Sequence, residues 1–175
     1  MTNTMHETIE TKRLFMRKLA LSDIDDMLQN WIADADVQLR YGEPVYTTKQ
    51  SVEELLRNTW LKQYRWGIIY KETSENIGHV SFCRVYEAEN TAEVEYCIGK
   101  RFWGQNIVPE ALRAFIPYAF AHTPIATIEA FHHIENPASG RVLQKADLQR
   151  VDTILRFADM EKVPDGCICY TITKK

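Results

Sequence analysis

The segment GKRFWGQNIVPEAL, residues 99–112, sets Lys100 and Arg101 between Gly99 and Gly104, directly ahead of a stretch with helical periodicity. Glycine-punctuated backbone running onto a helix N-terminus can aim unpaired N–H groups and the positive end of the helix dipole at one point. The chemistry this spacing offers is the binding of a phosphate-like anion. A tight, basic strand-to-helix turn has the same signature. Just upstream, AEVEYCIG carries Glu93 and Glu95 two residues apart, on one face of a strand. Such a pair could keep one carboxylate poised as a general base; a solvated strand face is the alternative. Downstream, NPAS holds Asn136 and Ser139, a plausible helix start with Asn136 as cap. His132 and His133 end ATIEAFHH on alternate faces, and imidazole titrates near neutral pH unaided. Lys100, Arg101, Arg141 and Lys145 surround these segments and could neutralise phosphates, or form an ordinary basic surface.

These residues need a scaffold. RLFMRKL (13–19) alternates as a strand, and SDIDDMLQNWI follows as a helix with Ser22 as its cap. ADADVQLRYGEPVYTT reads as irregular, and Thr48 or Ser51 opens a second helix, SVEELLRNTWLKQY. Strands are expected at RWGIIYKE, at NIGHVSFCRVYE with Gly78 as a bulge, and at AEVEYCIG. A helix spans about 107–122 and is expected to kink at Pro117, whereas Pro109 sits where the first turn has spare donors. The strand ATIEAFHH, the short helix NPASGRVLQKA, and strands at LQRVDTILRFADM and CICYTIT complete the order. The pattern predicts a mixed α/β (α+β) layer with seven strands, mostly antiparallel, and one parallel crossover through residues 107–122.

The 175 residues, with no repeat or linker, are expected to form a single domain spanning 1–175. The net charge of −3 and the lack of a basic stripe give no reason to expect direct nucleic-acid binding. No apolar run approaches ~20 residues, and MTNTMHETIETKR lacks a leader's basic start and apolar core, so a cytoplasmic protein off the membrane is expected. Cys83, Cys97, Cys167 and Cys169 fall in strand-like segments, with neither disulfide-framework nor zinc-ligand spacing, and no metal is expected.

In combination, ETKRLFMRKLALSDIDDML, NIGHVSF, RFWGQNIVPEALRAFIPYAF and IENPASGRVLQKADL resemble, in order and over nearly the whole chain, the GNAT superfamily of acetyl-CoA-dependent N-acetyltransferases, in the branch of the ribosomal-protein N-terminal (alanine/serine) acetyltransferases. The resemblance implies helices on both faces of the sheet and central strands that splay to admit pantetheine. It implies acetyl-CoA as co-substrate, with Cys97, Ile98, Gly99, Arg101, Phe102, Trp103, Gly104, Gln105, Asn106, Ile107 and Val108 around it, joined by Asn136, Ser139, Arg141 and Lys145. Glu93 becomes the first choice for the base, with Glu95 behind it, His132 or His133 as rivals, and Ser139 near the thiol as an acid. The acceptor pocket would use Trp31, Tyr41, Glu95 and His133, with Asp34, Asp36 and Glu43 nearby. The implied reaction is direct acetyl transfer to a primary amine, with a protein N-terminus as the first acceptor class, a polyamine or aminoglycoside-like amine as other acceptors, a catalytically silent CoA- or partner-binding module as the rival, and a homodimer as the implied assembly. Three positions depart from the pattern: Asn106 stands at a small-residue position, Asp147 at a turn glycine, and Pro117 inside the long helix. Asn and Asp tolerate left-handed φ, so both turns are expected to survive.

Overall fold

The alternation in RLFMRKL becomes a strand whose Leu14 and Met16 are fully buried. The computed structural model describes residues 8–175; the stretch read above for a leader begins in residues 1–7, outside the described residues. The strands are β1 (Ile9–Glu10), β2 (Leu14–Lys18), β3 (Arg65–Tyr70), β4 (Glu75–Tyr86), β5 (Thr91–Ile98), β6 (Thr127–His133), β7 (Gln149–Val151) and β8 (Cys167–Thr173). The helices are α1 (Ile24–Asn30), α2 (Ala35–Tyr41), α3 (Lys49–Asn58), α4 (Ile107–His122) and α5 (Pro137–Lys145). One sheet forms in the order β1-β2-β3-β4-β5-β6-β8-β7. Among the described residues only β5 and β6 pair in parallel, joined by the crossover through α4. The sheet has eight strands rather than seven because the two residues of β1 fold back onto β2.

Side-chain alternation divides the core into two layers. Trp66, Ile68, Val80 and Phe82 pack with Leu112 and Phe115 of α4, while His79 faces Trp31, Tyr41 and Trp60 from the α1–α3 side. The α1 layer is tied down by Asn76, whose Oδ1 accepts from Trp31 Nε1 at 3.1 Å and whose backbone N–H donates to Asp26 at 2.9 Å.

Local chemistry sets the element ends. Ser22 does not cap α1; the buried Asp23 does the organising, accepting from Ala20 N–H at 2.8 Å and from Arg17 at 2.6 Å. Thr48 caps α3 through a reciprocal box with Ser51. Helix α2 occupies the segment read as irregular. Asp34 caps it through the N–H groups of Asp36 and Val37, and Gly42 ends it at φ +85. The strand expected over 148–160 is short, because after Val151 the chain turns to bury Ile154 and Phe157 against Cys169. The first β4 bulge falls at Ile77, beside Gly78. Gly78 is needed there for close approach, since a Cβ would lie 2.2 Å from the Cys97 carbonyl oxygen. Helix α4 continues through Pro117, which has no N–H to donate to the Arg113 carbonyl, and Asp147 adopts φ +67.

The four cysteines are free thiols. Among the described residues, no helix is long and apolar enough to cross a membrane.

Candidate active site

Strands β5 and β6 pair only over Thr91–Glu93 opposite Thr127–Glu129, and then part. Each keeps its outer neighbour, β5 pairing with β4 to Ile98 and β6 with β8 to His133, so the separation costs only the inner-edge bonds. A cleft of about 1040 Å³ opens in the gap.

One wall is the loop between β5 and α4. Gly104 lies at φ +76 and Asn106 at φ +58, left-handed as its residue type allows. The backbone N–H groups of Gly104, Gln105, Asn106 and Ile107 donate to no acceptor among the described residues. The Asn106 side chain does not cover them, because its Oδ1 accepts from Lys145 Nζ at 2.6 Å. Trp103 pins the loop by donating from Nε1 to the Ile98 carbonyl at 3.0 Å. Free amides in left-handed turns at a helix N-terminus fit a pyrophosphate.

Of the residues expected around the cofactor, Cys97, Ile98, Phe102, Trp103, Gly104, Asn106, Ile107, Val108, Asn136, Ser139, Arg141 and Lys145 line the cleft. Gly99, Arg101 and Gln105 do not. Gly99 is required instead by the Asn30 carbonyl, which a Cβ would approach to 2.4 Å. Arg101 is turned to Glu75 at 2.7 Å, and Gln105 donates to the Arg101 carbonyl at 2.9 Å. Lys100 is paired with Asp36, outside the cleft. Asn136 occupies the cap position of α5, yet its side chain caps no N–H there. Tyr96, unmarked in the sequence, meets Ser139 at the gap with its hydroxyl 2.7 Å from Ser139 Oγ. Burial pushes the Tyr96 phenol up, so it stays a proton donor at neutral pH. Of the two histidines, His133 lines the cleft, whereas His132 turns inward against Gly140 and Tyr170.

Glu93 and Glu95 share a face, as expected, but each has its own arginine. Glu93 is 3% exposed, accepts from Arg156 at 2.7 Å, and lies where β5 and β6 are still paired. The second β4 bulge brings Cys83 Sγ to 3.3 Å from its carboxylate. Glu95 lies past the parting of the strands, half-buried, accepting from Arg65 at 2.7 Å and Ser81 at 2.8 Å. Arg65 also donates to the Tyr41 hydroxyl at 2.8 Å and lies over Trp60. Tyr41 and Glu43 complete this end of the cleft; burial, then Glu95, pushes the Glu43 carboxyl up. Trp31 is not available to an acceptor: it is fully buried, outside the cleft, and stacked on Trp60 at 5.9 Å. Asp34 is likewise committed, to capping α2.

His79 supports this network from below, with a ring nitrogen 3.1 Å from Arg65 Nη1 and no solvent contact. Burial, then Arg65, holds its pKa well below the ordinary value. An unfolded chain therefore takes up this proton first as pH falls through ~6.5, and stability is lost by up to ~1.4 kcal/mol per unit below that point. Urea unfolding between pH 5 and 7 should show a shallower slope for His79→Gln than for the wild type; parallel curves would refute the assignment.

A family model described as the acetyltransferase (GNAT) domain matches residues 13–149. An uncharacterized N-acetyltransferase, p20, of Bacillus licheniformis is 30% identical over 161 residues, covering 89% of this chain and 88% of its own. The crystal structure of a GNAT-family acetyltransferase from Bacillus anthracis superposes with a TM-score of 0.79 at 22% identity, covering 95% of this chain and 98% of that one. A ribosomal-protein-S5-alanine acetyltransferase from Vibrio fischeri superposes at 0.72 with 17% identity, covering 95% and 96%. The parted strands and open amides thus have their counterpart in sequence: this chain belongs to the GNAT acetyltransferase family and is an acetyl-CoA-dependent N-acetyltransferase.

Proposed function

We propose that this enzyme moves acetyl from acetyl-CoA to a protein N-terminal amine by direct attack in a ternary complex. A single cleft runs from the 104–108 loop, through the gap between β5 and β6, to Glu95 and Glu43, and on this observation the proposal stands. Acetyl-CoA entering at the loop and an amine entering beside Tyr41 would meet at the gap. Burial pushes the Cys83 and Cys97 thiols up, so neither is a ready nucleophile for a covalent relay.

Residue roles follow from position. The amides of residues 104–107 hold the pyrophosphate, with Arg141 and Lys145 beside them. The amine nitrogen attacks the thioester carbon, and Glu95 takes the proton it sheds, directly or through one water. The bond to sulfur breaks, and the Tyr96 hydroxyl, backed by Ser139, can donate to the departing thiolate. An α-amino group, with a pKa of ~7.7–8.0, asks far less of Glu95 than a lysine at ~10.4. The ribosomal-protein acetyltransferase among the structural neighbours supports the same acceptor class.

A second reading has its own observation. Glu43 and Glu95 place two carboxylates at the acceptor end, enough to hold the distal ammonium of a polyamine. Transfer assays with Ala- and Ser-initiated peptides, spermidine and an aminoglycoside decide between them. We expect kcat/KM for a peptide to lead by about tenfold or more, a difference of ~1.4 kcal/mol. A polyamine leading by that margin would overturn the peptide assignment.

A further inference from the structure

We propose that Arg13 is a positioning residue for the anion cradle, holding the 105–107 backbone from behind so that its amides face the cleft. The inference rests on the reading of the 104–108 loop as the pyrophosphate site. Arg13 lies far away in sequence, just before β2, and does not line the main cleft. It occupies a shallow hollow on the outer side of the loop, with Thr11, Asn106 and Glu110.

Each of its three guanidinium nitrogens donates one hydrogen bond there. Nη1 donates to the Gln105 carbonyl at 3.0 Å, Nη2 to the Asn106 carbonyl at 3.3 Å, and Nε to Glu110 at 2.7 Å. The two carbonyls belong to the peptide units that carry the N–H groups of Asn106 and Ile107. Every peptide bond among the described residues is trans, and in a trans unit C=O and N–H point in opposite directions. Gripping both oxygens from outside therefore turns both N–H groups away from Arg13, and these are among the amides without a protein acceptor. The planar fork suits the task, since two donors meet two adjacent carbonyls while the third nitrogen is held in place.

Glu110 sets Arg13 in turn. Its carboxylate accepts from the Thr11 hydroxyl at 2.5 Å and the Arg13 backbone N–H at 3.0 Å, besides the guanidinium. Glu110 stands in the first turn of α4, so loop, helix start and the β1–β2 corner form one bonded unit. Nothing in this unit touches the acceptor end of the cleft, so it bears on phosphate binding and not on acetyl transfer itself.

Calorimetric titration of the full chain with CoA, dephospho-CoA and pantetheine tests this, because only the first two carry the pyrophosphate. For Arg13→Gln, affinity for CoA and dephospho-CoA should each fall by about 10- to 30-fold, the scale of lost charge-assisted hydrogen bonds. Pantetheine affinity should hold within about twofold, and kcat at saturating acetyl-CoA within about threefold, because only ground-state binding of the phosphates is lost. Arg13→Lys, which keeps the charge but cannot span both carbonyls, should lie between, and carries the test if the glutamine variant does not fold. Equal weakening of all three ligands would mean a merely structural role, and unchanged CoA binding would end the proposal outright. If the wild type held pantetheine as tightly as CoA, the pyrophosphate reading would fall, and this inference with it.

Discussion

The Glu95→Gln enzyme is expected to lose about 10²- to 10³-fold in kcat while binding acetyl-CoA as the wild type does, the usual scale for removing a general base. Glutamine keeps the length of the side chain and an oxygen that can still accept from Arg65 and Ser81, which hold Glu95 in place. What it loses is the capacity to take a proton. The deficit should narrow at high pH, where a free α-amine of pKa ~7.7–8.0 is already neutral. Glu93→Gln is the contrasting variant. Glu93 also lines the cleft, but it is 3% exposed where the strands are still paired, and its carboxylate is the anion for Arg156. Its loss should lower stability by about 1–3 kcal/mol, the range for a charged hydrogen bond, with a kcat effect below about tenfold. Near-normal turnover in Glu95→Gln, or a larger kcat loss in Glu93→Gln at matched folded fraction, would return the role to Glu93.

The ranking of the two glutamates shows what a sequence can carry. The spacing of Glu93 and Glu95 put both on one face of β5, as the strand period demands. It could not show that β6 leaves β5 immediately after Glu93, because strand parting depends on the outer neighbours β4 and β8. Nor could it show Arg65, Ser81 and Arg156 as partners, since all three come from distant segments. Trp31 was misplaced for a related reason. An aromatic at helical spacing fits a pocket or a core equally, and only the Asn76 carboxamide decided that its N–H would be satisfied inside. Helix α2 was legible in principle, with Asp34 and Gly42 as start and stop, but it offers little apolar period between them because Leu39 is exposed. The loop fared better, because its chemistry is local. Left-handed Gly104 and Asn106 are both residue types that permit that conformation, and the backbone path follows from them.

With the pyrophosphate proposed to bind along that path, Gly104→Val should weaken acetyl-CoA affinity by about 100-fold or more and leave the protein folded, two lost hydrogen bonds to a charged ligand amounting to ~3–6 kcal/mol. A Cβ at Gly104 would meet no protein atom within 4 Å, so no core contact is disturbed. The penalty is in the backbone. Gly104 sits at φ +76, which a β-branched residue reaches only under strain of about 1–3 kcal/mol. The exposed loop can shed that strain by leaving the left-handed region, and the N–H groups that follow then lose their common aim. Gly104→Asn separates the two effects. Asparagine tolerates the left-handed conformation, as Asn106 does two residues later, so its affinity should fall much less than that of the valine variant. Equal loss in both variants would assign the effect to side-chain bulk beside the phosphates. Calorimetric titration with acetyl-CoA, paired with thermal unfolding of each variant, reads both quantities. Undiminished binding by a folded Gly104→Val protein would remove the loop from the phosphate site.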